Sequence, residues 1–63
     1  MFSKNLKVLR LKKGLTQEEL SERLGISVRY IQLLESKNPP NVKIDTLESL
    51  ARALKVKPAD FLK

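Results

Sequence analysis

Residues 16–35 read TQEELSERLGISVRYIQLLE, and this stretch decides the fold. Thr16-Gln17-Glu18-Glu19 has the form of a capping box. The Thr hydroxyl accepts from a backbone N–H three residues on, and the Glu there reaches back to the cap's own N–H. Leu20 and Leu24 follow at helical spacing, and Gly25 supplies the stop. Ile26 leads to Ser27, a second cap, after which Ile31 and Leu34 share a face. Two short helices joined by a tight glycine turn form the layout of a helix-turn-helix, whose second helix lies in the DNA major groove. Ser21 falls where the two helices come closest, and only a small side chain fits there.

Working outward, apolar residues recur at three and four, never alternating at two, so the chain reads as all-α. A first helix is expected from about Ser3 to Lys13, capped by Ser3 and stopped by Gly14, with Leu6 and Leu9 on one face. The third helix runs from Ser27 to about Ser36. Pro39-Pro40 then forbids helix and fixes an extended loop. A fourth helix covers about Lys43 to Leu54, and Pro58 opens a short fifth that ends in Phe61-Leu62. The expected core is Leu6, Leu9, Leu15, Leu20, Leu24, Ile26, Ile31, Leu34, Leu47, Leu50, Leu54, Val56 and Phe61.

Sixty-three residues make one domain at most, taken here as residues 1–63. The sequence has no Cys and no His, so neither disulfides nor a zinc site can staple it. Dense helix packing, a dimer partner, or both must hold it. The absence of Cys fits a reducing compartment, and a cytoplasmic or nucleoid-associated location is expected. No signal peptide or membrane span is legible, because no apolar run approaches the roughly 20 residues a bilayer needs. The chain reads either as a whole small protein or as the N-terminal module of a longer one.

Thirteen Lys and Arg against seven acids leave a net charge of +6. The excess is uneven. Lys4, Lys7, Arg10, Lys12 and Lys13 have no acid among residues 1–13, whereas Glu18, Glu19 and Glu22 outnumber Arg23 in the next stretch. Such a basic patch attracts a polyanion, nucleic acid or anionic lipid; the bland reading is an ordinary basic surface. A membrane-surface role conflicts with the core's need for each helix's apolar face. No acid pair resembles a general acid and base and no Gly-rich phosphate loop is present, so an enzyme is rejected. No cofactor, metal or small-molecule ligand is expected.

At about 100° per residue, with Ile31 pointing inward, Ser27 and Leu34 lie on the core side and Glu35 at its edge. Arg29, Gln32, Leu33 and Ser36 face out, Val28 sits at the edge, and Tyr30 projects toward either a neighbouring helix or a phosphate backbone. Arg can pair bidentately with guanine and Gln with adenine. Leu33 can touch a thymine methyl or is a stray surface leucine. Glu35 needs a partner if buried. Arg10 is the candidate, the alternative being two separate solvated charges. Phosphate contacts are expected from Thr16 and Gln17, from Ser27, from Lys12, Lys37 and Asn38, and from the flanking Tyr30 and Ser36.

The pattern Leu6…Arg10…Lys13-Gly14-Leu15-Thr16-Gln17-Glu18-Glu19-Leu20…Leu24-Gly25-Ile26-Ser27…Tyr30-Ile31…Leu34-Glu35 strongly resembles the Cro/C1-type (XRE) helix-turn-helix regulators. That group includes lambdoid phage repressors and restriction-modification controllers. The tail Thr46-Leu47…Leu50-Ala51…Ala53-Leu54-Lys55-Val56…Asp60-Phe61-Leu62 continues the match. The resemblance implies a compact five-helix, lambda-repressor-like domain that binds double-stranded DNA as a homodimer on a pseudo-palindromic operator. It implies a phosphate contact at Gln17, base-reading positions at Val28, Arg29 and Leu33 with Gln32 beside them, and an internal salt bridge between Arg10 and Glu35. Three features depart from the pattern. Val28 and Leu33 stand where polar residues are common, Lys37-Asn38 replaces the usual glycine, and the Pro39-Pro40-Asn41-Val42 loop is longer than in many relatives.

One such domain reads about four to six base pairs, too few for a genome, so a second copy is expected. Leu50, Leu54, Phe61 and Leu62 are the candidate dimer contact, unless they close the monomer core instead. Phage repressor, restriction-modification controller and antitoxin-like autoregulator all fit. A protein-interaction module that uses Leu33 and Tyr30 is the alternative from another class.

Overall fold

Capping residues and apolar spacing produce four α-helices: α1 (Phe2–Lys12), α2 (Gln17–Leu24), α3 (Val28–Leu34) and α4 (Ile44–Leu54). A 3-10 turn, Pro58–Leu62, follows them. The computed structural model describes residues 2–62.

The central pair forms as its sequence dictates. The Thr16 hydroxyl accepts from Glu19 N–H at 3.0 Å, and Glu19 Oε1 accepts from Thr16 N–H at 2.8 Å, so the capping box is closed. Gly25 ends α2 at φ 70°, a left-handed turn that glycine adopts without strain. Its N–H and that of Ile26 both donate to the Ser21 carbonyl, and this redirects the chain into α3. The Ser27 hydroxyl accepts from Tyr30 N–H at 3.1 Å. Ser21 is buried at the crossing, its hydroxyl donating to the Glu18 carbonyl.

Three boundaries differ from the sequence expectation. α1 begins at Phe2, so Ser3 lies inside the helix and does not cap it. The Phe2 ring packs against Phe61 with centroids 5.6 Å apart, which draws the first turn into the fold. α3 stops at Leu34, not near Ser36. There Ser36 N–H turns back to the Leu33 carbonyl, and Glu35 is held elsewhere by its carboxylate. The expected fifth helix is the 3-10 turn, giving four α-helices. Its five residues are too few to repay α nucleation, and the Asp60 carboxylate closes the turn onto Lys57 N–H at 3.0 Å.

α2 packs against both α3 and α4, and the 3-10 turn bridges α1 and α4. Leu6, Leu15, Leu20, Ile31, Leu34, Leu50, Ala51, Leu54 and Phe61 are buried between them. Leu9, Leu24, Ile26, Leu47 and Val56 pack against that cluster, so every expected core residue is in or on it. Asn5 ties α1 to the turn through a 2.8 Å hydrogen bond from Nδ2 to the Phe61 carbonyl. No described helix is long and apolar enough to cross a membrane.

Candidate nucleic-acid interface

The packing of α3 leaves one face free. Arg29, Gln32 and Leu33 are exposed, Val28 is half-buried at the first helical position, and Ile31 and Leu34 are fully buried behind them. Tyr30 is half-buried, packing part of its side chain against the core and leaving the rest at the surface. Leu33 keeps 41% of its surface exposed, enough to present an apolar contact to a groove floor.

A buried polar cluster holds this helix at its angle. Arg10 Nε donates to Glu35 Oε2 at 2.7 Å, and Arg10 Nη2 donates to Glu35 Oε1 at 3.1 Å. This bidentate pair has only 7% and 4% of its two side chains exposed. Arg10 Nη1 donates to the Leu15 carbonyl at 2.7 Å, and Gln17 Nε2 donates to Glu35 Oε1 at 3.1 Å. One guanidinium and one carboxylate therefore join α1, the turn after it, the start of α2 and the end of α3. No buried side-chain nitrogen or oxygen among the described residues lacks a partner.

The polar groups expected at phosphates differ in what they have left to donate. The Thr16 and Ser27 hydroxyls each accept one capping hydrogen bond, and each keeps its O–H to donate outward. Gln17 retains one amide proton beyond the one given to Glu35. Lys12, Lys37 and Asn38 are exposed. Ser36 is half-buried and donates its proton to the Leu33 carbonyl at 2.6 Å, so it is the poorest donor of the set. The Thr16 backbone and hydroxyl, in that order, lower the Glu19 carboxyl below the usual range, and the Arg23 charge adds to this; partial desolvation opposes it. No group of residues able to hold a metal ion occurs among the described residues.

A helix-turn-helix family model matches residues 6–61. The chain belongs to the Cro/C1-type helix-turn-helix family. This is a family of DNA-binding transcriptional regulators and not of enzymes. The helix-turn-helix chain is 33% identical over 58 residues to YozG of Bacillus subtilis, an uncharacterized HTH-type transcriptional regulator, covering 92% of this chain and 69% of that one. Among solved structures it is similar to the restriction-modification controller protein C.AhdI from Aeromonas hydrophila. There the TM-score is 0.87 and the identity 33%, over 95% of this chain and 89% of that chain. The controller protein C.Esp1396I gives a TM-score of 0.81 at 34% identity, over 97% and 79% of the two chains.

One group of expected site residues is displaced. Leu50, Leu54 and Phe61 of the helix-turn-helix chain are 0%, 1% and 0% exposed, so they close the chain's own core and have no surface for a partner. Leu62 alone of that set is open, at 72%. The free apolar surface lies beside it. Phe2, Pro39, Pro40, Val42, Leu47 and Leu62 line a groove of about 270 Å³. Ile44, which the sequence reading passed over, is 74% exposed. It lies about 60° from the core face of α4, but in the first turn, where helical spacing continues past the end of the core.

Proposed function

We propose that this chain is a sequence-specific, double-stranded DNA-binding repressor or controller, acting as a homodimer on a pseudo-palindromic operator from the cytoplasm or nucleoid. Residues 1–63 act as a single DNA-binding domain that places α3 in the major groove. One observation carries the reading. The exposed Arg29, Gln32 and Leu33 stand on a capped helix braced from behind by the buried Arg10–Glu35 pair, so their positions are fixed before DNA arrives. Arg29 pairs with a guanine edge, Gln32 with an adenine edge, and Leu33 and Val28 meet thymine methyls. Thr16, Gln17 and Lys12 take one phosphate backbone, and Ser27, Tyr30, Ser36, Lys37 and Asn38 take the other. The likeness to two restriction-modification controller proteins favours the controller role. The second protomer docks on the apolar surface around Ile44, Leu62 and Val42. No small molecule, cofactor or membrane takes part.

The test is selection of bound duplexes from a random library at about 0.15 M salt. Enriched inverted half-sites about one helical turn apart are expected, and Arg29→Ala should erase preference at one position of each half-site. Affinity should fall with salt at a log–log slope of about −0.9 per phosphate neutralised. Binding without enrichment would sink the base-reading assignment and turn the search to protein partners.

A further inference from the structure

Away from the α3 face, one concave patch gathers positive charge. Arg23 in the last turn of α2, with Arg52 and Lys55 at the end of α4, lines an open groove of about 350 Å³. Ser49 stands on its wall, and Leu24 and Ala53 form an apolar floor. None of the three cations makes an ion pair or side-chain hydrogen bond among the described residues. Arg23 does act on the Glu19 carboxylate, but that group is engaged in the α2 cap and does not line the groove.

Helix ends explain part of this arrangement. A cation in a last turn complements the negative end of the helix dipole. That reasoning places one basic residue on each helix but not two helix ends converging on one hollow, where like charges repel. Lys55 sharpens the point. Its backbone has φ 57°, the one left-handed conformation outside glycine in the described chain. That conformation favours Gly or Asn, yet a lysine holds it and contributes to the groove.

The groove is set back along the helices from Gln17 and from the Lys37-Asn38 loop, although Arg23 stands only four residues before Ser27. Arg23 is six residues beyond Gln17, roughly 9 Å along α2. Arg52 is eight residues beyond Ile44, roughly 12 Å along α4 from the end that joins the Lys37-Asn38 loop. Its open form does not enclose a small molecule, whose sites bury most of the ligand. An extended chain crossing the surface needs no enclosure. Two arginines offer paired donors to carboxylates, and the apolar floor suits an aliphatic side chain between them.

We propose that this groove docks an acidic peptide segment of a partner protein, with its carboxylates on Arg23, Arg52 and Lys55 and an apolar side chain on Leu24 and Ala53. That the groove is not itself a DNA contact rests on the reading of α3 as the DNA-facing helix, so the decisive experiment contains no DNA. The ¹⁵N-labelled full chain is titrated with a short synthetic peptide of alternating Glu and Leu, with its Gln-for-Glu counterpart, and with inorganic phosphate alone. The expected shifts centre on Arg23, Ser49, Arg52 and Lys55 for the acidic peptide only. The Arg23→Ala/Arg52→Ala double variant should weaken that binding roughly tenfold while leaving duplex affinity unchanged. Lys55→Gly removes a charge while relieving the left-handed backbone, so it keeps the fold and should also weaken the peptide. Shifts spread over Lys4, Lys7 and Lys12 would overturn the proposal in favour of diffuse charge attraction, and phosphate reproducing the pattern would make the groove a small-anion site. A separate duplex titration separates the two readings. Shifts absent from α3 defeat the DNA assignment alone, whereas duplex shifts at Arg52 that the double variant abolishes make the groove a DNA contact and defeat this one.

Discussion

Removing Arg10 tests the claim that a buried ion pair sets the pose of α3. Arg10→Ala deletes three hydrogen bonds, two to Glu35 and one to the Leu15 carbonyl. It leaves a carboxylate only 4% exposed with Gln17 as its remaining partner. Breaking a buried pair by removing one member costs about 3–5 kcal/mol, because the other charge is stranded. A chain of this length has a total stability of roughly 3–9 kcal/mol at the usual value per residue. The single variant is therefore expected to lose at least about a third of its stability, and to unfold if the chain sits at the lower end of that range. The comparison that isolates the cause is Arg10→Met with Glu35→Leu. That double variant strands no charge and fills similar volume, so it should recover most of the loss. Urea unfolding followed by helical circular dichroism measures both, and operator affinity of the double variant measures the pose. The double variant should fold yet bind DNA more weakly, since the bidentate geometry that fixes the angle of α3 is gone. A loss below about 1 kcal/mol for Arg10→Ala, the range of exposed pairs, would refute the reasoning.

Three further outcomes are expected. Lys55→Gly should raise stability by about 0.5–1 kcal/mol in the same unfolding assay, because glycine adopts the left-handed C-cap of α4 without the steric cost that lysine bears. The lowered Glu19 carboxyl contributes stability that is fully present above the ordinary glutamate range and lost as pH falls through its folded value. Glu19→Gln should accordingly flatten the acid limb of the stability–pH curve and leave the neutral-to-basic limb unchanged in shape. Ile44→Glu should shift sedimentation toward the monomer while leaving the helical spectrum intact, as the side chain is 74% exposed; an unchanged dimer would move the self-contact elsewhere.

The second helix of the motif, its caps and its outward face were legible because the signals are local. A Thr hydroxyl and a Glu three residues on meet whatever surrounds them, and a glycine at a helix end adopts its left-handed turn from its own sterics. Helical spacing likewise sorted Ile31 and Leu34 from Arg29, Gln32 and Leu33. The pairing of Arg10 with Glu35 was legible only as a candidate, since the two stand 25 residues apart and their meeting depends on how α1 crosses α3. The further donation from Gln17 to the same carboxylate had no sequence signal, for it arises from the closeness of three helix ends.

By itself the sequence determined an all-α chain with a capped helix-turn-helix, an apolar set sufficient for one core, and an outward helix face carrying Arg29, Gln32 and Leu33. Those are properties of period, cap chemistry and composition, each settled within a few residues. The tertiary structure decided what depends on distant elements. It put Leu50, Leu54 and Phe61 inside the core, left Ile44 and Leu62 outside, and reduced the last helix to a 3-10 turn against α1 and α4. It also brought Arg23, Arg52 and Lys55 to one hollow. The physical reason is the same in each case. Helical period says which residues share a face, but only the packing of one element on another decides which faces are covered and which charges are left to meet.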